Sequence, residues 1–273
     1  QGRLKSRIIV LRDITERKRV EEEIENRTRE LESANLRLKV LSQAKDDFVS
    51  NISHEFRTPL TSLRLYIALL FRQPEDRDIY LLGFRREIER LENMIEGLLI
   101  LSRLDQDHGA LNVESVDLNI LAQEYVTDRR ALANRKDLTL TFESDHESTV
   151  VQAHRGLIGQ VLSILLTNAI NYTPSGGQVT VFTDKKQADG QHWVGLCVGD
   201  TGPGISPAEK NQLFTRFFRG KAGNKSEIPG TGLGLAILKD IVERHQGHVD
   251  VESRGIPGEG TTFRVWLPVS KGD

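Results

Sequence analysis

Between Glu16 and Glu55 the chain contains neither glycine nor proline. Apolar residues recur inside this stretch at heptad spacing. Ile24, Leu31, Leu38 and Ile52 share one heptad position, with Lys45 as the exception. Ala34, Leu41 and Phe48 share the position three residues on, with Arg27 as the exception. This is an a/d seam on a helix whose other faces are charged, the pattern of a parallel coiled coil. A single solvated helix would leave the seam in water. Arg27 and Lys45 weaken it, as a register or switching device does.

The helix is expected to continue to about Phe71, through Pro59. Proline lacks the N–H that would bond the Glu55 carbonyl, so a kink is expected there. Gln73 to Asp76 reads as a turn, and a second helix is predicted over Arg77–Leu104 with its own stripe: Leu81, Phe84, Ile88, Leu91, Ile95 and Leu98. Two antiparallel helices cannot bury both stripes alone. An all-α helical hairpin that closes into a four-helix bundle in a homodimer satisfies them.

From about Val113 the pattern changes. Asp117 is a plausible cap for a helix running to about Arg135, and another helix is expected over Arg155–Tyr172. Strands are predicted at Leu138–Phe142, Thr149–Gln152, Gln178–Asp184, His192–Val198, His248–Ser253 and Thr261–Leu267. A short helix is expected near Pro207 and a longer one over Thr231–His245. This mixed order favours an α+β sandwich over a doubly wound sheet. Residues Gly220 to Pro229 are polar and read as a mobile loop.

At 273 residues the chain exceeds one typical domain. Lys and Arg number 37 against 39 Asp and Glu, a net charge of −2, so there is no electrostatic footprint for nucleic acid. The one cysteine, Cys197, cannot form an intrachain disulfide and suits a reducing, cytoplasmic setting as a small buried hydrophobe. No apolar run is long enough to span a membrane, and no signal peptide is visible. The first residue is Gln1 rather than Met, so a cytoplasmic fragment is expected, with a membrane span or sensor possible upstream.

Two groups of residues carry chemistry. The first is Ser53-His54-Glu55-Phe56-Arg57-Thr58-Pro59-Leu60. His54 follows Ile52 by two residues, about 200° around the helix from the seam, so it faces outward. Imidazole is the side chain whose neutral, nucleophilic form is available at physiological pH. Glu55 is placed to orient its proton or act as general base, and Thr58 lies one turn on, over the same face. The second group is four segments: Asn168-Ala169-Ile170-Asn171-Tyr172-Thr173-Pro174; Asp200-Thr201-Gly202-Pro203-Gly204; Phe214-Thr215-Arg216-Phe217-Phe218-Arg219; and Gly230-Thr231-Gly232-Leu233-Gly234. A carboxylate can accept adenine amino hydrogens. Glycines let a nucleotide approach backbone, and N–H groups at a helix start attract phosphate. An Asn amide oxygen suits Mg2+. Each segment alone is weak; their joint occurrence in this order is specific.

Over about Phe48 to Pro268 the chain resembles the cytoplasmic core of sensor histidine kinases of two-component signalling. Its second half resembles the GHKL (Bergerat) ATP-binding fold of DNA gyrase, Hsp90 chaperones and MutL proteins. Arg7 to Leu11 followed by Asp13-Ile14-Thr15 resembles the last strand of a PAS sensor domain passing into a signalling helix. The resemblance implies four parts: 1–14 the end of a PAS-like domain, 15–45 a signalling coiled coil, 46–110 a dimerisation and histidine-phosphotransfer domain, and 111–270 a catalytic domain. It implies that ATP, with Mg2+ on Asn168, phosphorylates His54 with help from Glu55. The phosphoryl group then passes to the receiver domain of a response regulator, and Thr58 positions a water for the phosphatase reaction. It implies an ATP site formed by Asn168, Asn171, Tyr172, Asp200, Gly202, Gly204, Arg219, Gly230, Thr231, Gly232, Leu233, Gly234 and Thr262.

The chain departs from the family pattern at Ile164, where an additional Asn is common, and at Asn171, where Lys or Arg is common. Arg216, Arg219, Lys221 or Lys225 could compensate. Two other readings stay open: an ATP-sensing binding module without transfer, and a gyrase-like or MutL-like ATPase clamp. Phosphate incorporation and DNA-stimulated hydrolysis discriminate them.

Overall fold

A computed structural model describes residues 15–106, 111–144, 149–188, 190–220, 223 and 230–269. The expected PAS-like strand, Lys221 and Lys225, and most of the polar stretch before Gly230, lie outside these residues. Two compact units divide the chain, residues 1–57 and 58–273.

The N-terminal unit holds the first part of helix α1, whose full span is Thr15–Arg72. Exposed i,i+4 pairs Arg27–Glu23 and Arg29–Glu25 line it. Each contributes only a few tenths of a kcal/mol (about 0.3). The seam residues Ile24, Leu31 and Leu38 are 60–72% exposed among the described residues of the single chain, so this helix carries an open apolar stripe there.

The larger unit begins inside α1, which the helix assignment carries through Pro59 without a break. A 3-10 turn, Pro74–Asp76, leads to α2, Arg77–Gln106. Then follow β1 (Glu114–Asp117), α3 (Leu118–Arg135), β2 (Thr139–Glu143), β3 (Val150–Ala153) and α4 (Arg155–Tyr172). The remainder is β4 (Gln178–Ala188), β5 (Gln191–Asp200), α5 (Pro207–Lys210), α6 (Gly234–Arg244), β6 (His248–Glu252) and β7 (Thr261–Pro268). Five strands form a mixed sheet in the order β2-β4-β5-β7-β6, parallel only between β2 and β4. β1 and β3 form a separate antiparallel pair.

The α+β sandwich is built by alternation. Val194, Leu196 and Val198 of β5 and Phe263, Val265 and Leu267 of β7 are buried. They form one layer with Ile158, Leu162, Leu165 and Leu166 of α4 and Leu238, Ile241 and Val242 of α6. Each such side chain contributes about 1.5–3 kcal/mol by leaving water. Cys197 points to the other face and is fully buried beside Arg264, Asp184 and Glu252. Burial, with help from Asp184, pushes its thiol up to about 12, so it is an inert hydrophobe, as expected. The Asp117 carboxylate caps α3 through the Asn119 N–H, also as expected.

α2 lies against α6. Met94 and Leu101 are 1–2% exposed, and Gly97 between them leaves room for Leu233 and Ile237, whose Cδ1 atoms lie 3.4 and 3.5 Å from where a Cβ would stand. The expected α2 stripe is only partly covered: Phe84, Leu91 and Leu98 are half-buried, while Leu81, Ile88 and Ile95 are 38–49% exposed. Two expectations need correction. β1 was absent from the sequence reading, because Glu-Ser-Val-Asp buries a single residue and makes no alternating run. The last long helix starts at Gly234, not Thr231. Gly232 is in the left-handed region (φ +70°), which no helix propagates through.

Candidate active site

His54 lies on α1 with an exposed side chain, as its offset from the seam predicts; Glu55 is half-buried and Thr58 exposed. The Ser53 hydroxyl bonds back to the Val49 carbonyl at 2.9 Å, one helical turn before it. A solvent-facing imidazole with a carboxylate next in sequence can attack an electrophile delivered from outside the helix.

In the larger unit, four strand and helix ends converge. Asp200 is the last residue of β5 and pairs with Thr261 of β7 and Val179 of β4. Its Oδ1 accepts the Gly202 N–H at 2.8 Å. Burial raises its carboxyl above the usual range, and the amides of Gly202 and Thr261 oppose the rise. The loop after it leaves no room for a side chain at Gly202 or Gly204. A Cβ on Gly202 would lie 2.7 Å from Asp200 Oδ1 and 3.2 Å from the Tyr172 carbonyl. At Gly204 (φ +73°) it would lie 3.0 Å from Gly255. The Thr201 hydroxyl accepts the Gln178 N–H at 2.9 Å, fixing the loop to the start of β4.

Asn168, Asn171 and Tyr172 are half-buried and share one face at the C-terminal end of α4. Thr173 closes that end, its hydroxyl donating to the Ala169 carbonyl at 2.6 Å. Burial raises the Tyr172 phenol, opposed by the charge of Arg219. Arg219 in turn donates to the Gly223 carbonyl, so Tyr172, Arg219 and Gly223 form one cluster. Gly232 crosses Phe217 backbone to backbone: Phe217 N–H donates to the Gly232 carbonyl at 2.9 Å, and a Cβ there would lie 2.5 Å from the Phe217 carbonyl carbon. Gly230 and Gly232 flank Thr231, whose hydroxyl accepts the Leu233 N–H at 3.3 Å. Leu233 itself is buried.

Thr262, one of the expected residues, pairs with Gly199 and alternates to the opposite face of β7 from Asp200's partner. Thr261, 5% exposed, stands opposite Asp200 instead. The sequence reading also missed Gly260. Its φ is +70°, and a Cβ there would lie 1.6 Å from the Asp200 carbonyl oxygen; the run Gly258-Glu259-Gly260 before a strand was the available signal. Ser253 was missed as well. Its hydroxyl donates to the Gly260 carbonyl at 2.7 Å and accepts the Ile205 N–H at 2.8 Å, tying the Asp200 loop to the β6–β7 turn. Ile164 packs its Cγ2 3.3 Å from the Cβ position of Gly234, so the apolar residue there supports the glycine loop. Arg216 pairs with Asp240 at 3.3 Å.

Among the described residues no cluster of His, Cys, Asp or Glu could hold a metal. The Asn168 amide oxygen is a hard donor that fits Mg2+ whose other ligands are phosphate oxygens and water.

The half-buried carboxylate with its glycine-framed loops, on this mixed sheet, defines a nucleotide-binding domain of the GHKL type, preceded by a helical hairpin with an exposed histidine. Residues 153–271 match the family described as histidine kinase-, DNA gyrase B-, and HSP90-like ATPase. Residues 44–107 match the His Kinase A (phospho-acceptor) domain. Sensor protein kinase PmrB of Pseudomonas aeruginosa is 36% identical over 87% of this chain and 48% of its own length. Sensor histidine kinase WalK of Bacillus subtilis is 32% identical over 84% of this chain and 37% of its own. The solved structure of histidine kinase ThkA in complex with response regulator protein TrrA aligns with a TM-score of 0.66 at 25% identity, covering 95% of this chain and 68% of that one. The chain belongs to the sensor histidine kinase family. It spans about half or less of the length of these curated relatives. Among the described residues, no helix is long and apolar enough to cross a membrane.

Proposed function

We propose that this chain is the ATP-dependent histidine autokinase core of a two-component sensor. The carrying observation is one chain with both an outward-facing His54 on a helix and a half-buried, glycine-framed Asp200 at the end of the central strand β5. Asp200 accepts the adenine amino hydrogens. Asn171, Tyr172 and Arg219 and the Gly230–Gly234 loop hold the phosphates, with Thr261 rather than Thr262 beside the base. Asn168 would hold Mg2+, which would supply charge neutralisation. An imidazole nitrogen of His54 attacks the γ-phosphorus, the bond to the bridging oxygen breaks, and ADP leaves. Glu55 takes the proton from the other ring nitrogen. Positioning and charge neutralisation supply most of the rate.

The phosphoryl group then passes from His54 to an aspartate of a response-regulator receiver domain. ThkA, crystallised with a response regulator, supports this step by analogy. Thr58 positions the water that removes phosphate from that partner. The open stripes of α1 and α2 support a homodimer closed through the coiled coil and the hairpin. Residues 15–45 then form a signalling helix, 46–110 the phosphotransfer domain and 111–270 the catalytic domain. The helix receives input from a sensor domain in the full-length chain.

The test is a chase. The chain is labelled with γ-labelled ATP and Mg2+ and then mixed with a panel of receiver domains. Acid-labile label that moves within seconds to one receiver, and to none carrying Asp→Asn at its acceptor, is the expected result. Label absent from the chain while ATP is bound would favour the ATP-sensing binding module.

A further inference from the structure

α4 ends at Tyr172, and a helix end leaves its last carbonyls without partners in the helix. Here the carbonyls of Ile170 and Asn171 are taken by a side chain from elsewhere in the chain: the Lys136 ammonium, at 2.7 and 2.6 Å. These are charge-assisted bonds, stronger than neutral ones. They also place a cation where the helix dipole is negative. Asn171 and Tyr172 carry no positive charge of their own, and Lys136 supplies one at the backbone of this turn.

The backbone of Lys136 is fixed just as firmly. It follows the last residue of α3, and the turn closes with Lys136 N–H to Ala133, Asp137 N–H to Asn134 and Leu138 N–H to Ala133, at 3.0, 3.1 and 3.0 Å. Asp137 adopts the left-handed conformation (φ +58°). Its carbonyl accepts the Gly176 N–H at 2.8 Å, and Thr139 N–H reaches Gly177 at 3.0 Å. The turn after α3 is thus laced to the loop after α4, and the lysine reaches across to the helix end above it. Burial lowers the ammonium from the usual lysine range.

We propose that Lys136 is a positioning residue of the nucleotide site. It clamps the C-terminal turn of α4 so that Asn168, Asn171 and Tyr172 present a preformed face to the phosphates and the Arg219–Gly223 cluster. This inference rests on the ATP-site reading above. Without the clamp, two carbonyls beneath Asn171 and Tyr172 lose their donor and the last turn frays. The fold, which rests on the sheet and its apolar layer, is retained.

The test uses the full chain, with ADP and Mg2+ as probe so that no turnover intervenes. The dissociation constant is measured by calorimetry and the unfolding midpoint without nucleotide is measured alongside. Lys136→Met is expected to weaken ADP binding about tenfold, the scale of a lost charge-assisted hydrogen bond. Lys136→Arg, which keeps a cation and N–H donors, is expected to restore most of it. Wild-type affinity in Lys136→Met, with or without a lowered midpoint, overturns the positioning role. So does weakened binding that Lys136→Arg fails to rescue. Should Lys136→Met not unfold cooperatively, Lys136→Gln takes its place in the same comparison. A wild-type chain that binds no ADP sinks the nucleotide reading and this inference with it; wild-type binding matched by the variants sinks the inference alone.

Discussion

Gly260 decides where Asp200 can sit. No side chain fits at that φ of +70° with the Asp200 carbonyl oxygen 1.6 Å from the Cβ position. Gly260→Ala is expected to cost about 3 kcal/mol or more in urea unfolding, since it combines backbone strain with a backbone clash; a cost below about 0.5 kcal/mol would contradict the crossing. Two histidines make stability depend on pH. His245 is committed at both ring nitrogens: Nδ1 lies 2.8 Å from the Ile241 carbonyl, and Nε2 accepts the His154 N–H at 3.0 Å. Burial lowers its pKa, the Ile241 carbonyl opposes, and His154 adds to the lowering. His248 is lowered by burial and by Lys186, against Asp250. Both take up a proton less readily in the fold than when unfolded. The stability they support is complete above the ordinary value near ~6.5 and is lost as pH falls below it toward the lowered folded values. Unfolding free energy should therefore drop between pH 7.5 and 5.5. The drop should shrink in the His245→Gln, His248→Gln double variant, and an unchanged pH slope there would contradict the assignment.

At the scale of elements, strand alternation separates two neighbouring threonines. Thr261→Ala is expected to raise the ATP dissociation constant about fivefold, the loss of one hydrogen bond near ~1 kcal/mol. Thr262→Ala should stay within about twofold, and equal effects would show that alternation does not select the contact. That pair also marks what could be read from sequence. The apolar periods of α1, α2 and α4, the Asp117 cap and the strands around Cys197 were legible because period and cap are local properties. Asp200, Gly202 and Gly232 were legible as loop chemistry. Which face of β7 meets Asp200 depends on the β5–β7 register, and no local pattern states a register. Gly260, Ser253 and Lys136 serve residues distant in sequence, so their roles appear only when the chain is folded. The start of α6 was misjudged because Gly232 looks the same in sequence whether it opens a helix or breaks one.

The described helices have more apolar surface than their own chain covers among the described residues. Met94 and Leu101 of α2 are buried against α6, while Leu81, Ile88 and Ile95 remain 38–49% exposed, and so do Leu65 and Phe71 of α1 at 56% and 86%. A stripe of this kind marks a partner surface rather than a solvated face. Ile88→Asp places a charge in its middle. In sedimentation experiments the wild-type chain should run as a dimer and Ile88→Asp as a folded monomer; a variant that stays dimeric would move the interface elsewhere. The central claim is that phosphate from ATP comes to rest on His54. The direct measurement is incubation of the wild-type chain and His54→Gln with γ-labelled ATP and Mg2+, with ATP binding measured on both. Acid-labile, alkali-stable label on the wild type alone, at equal ATP affinity, is the expected result. Equal label on both proteins, or none on a wild-type chain that binds ATP, would contradict it.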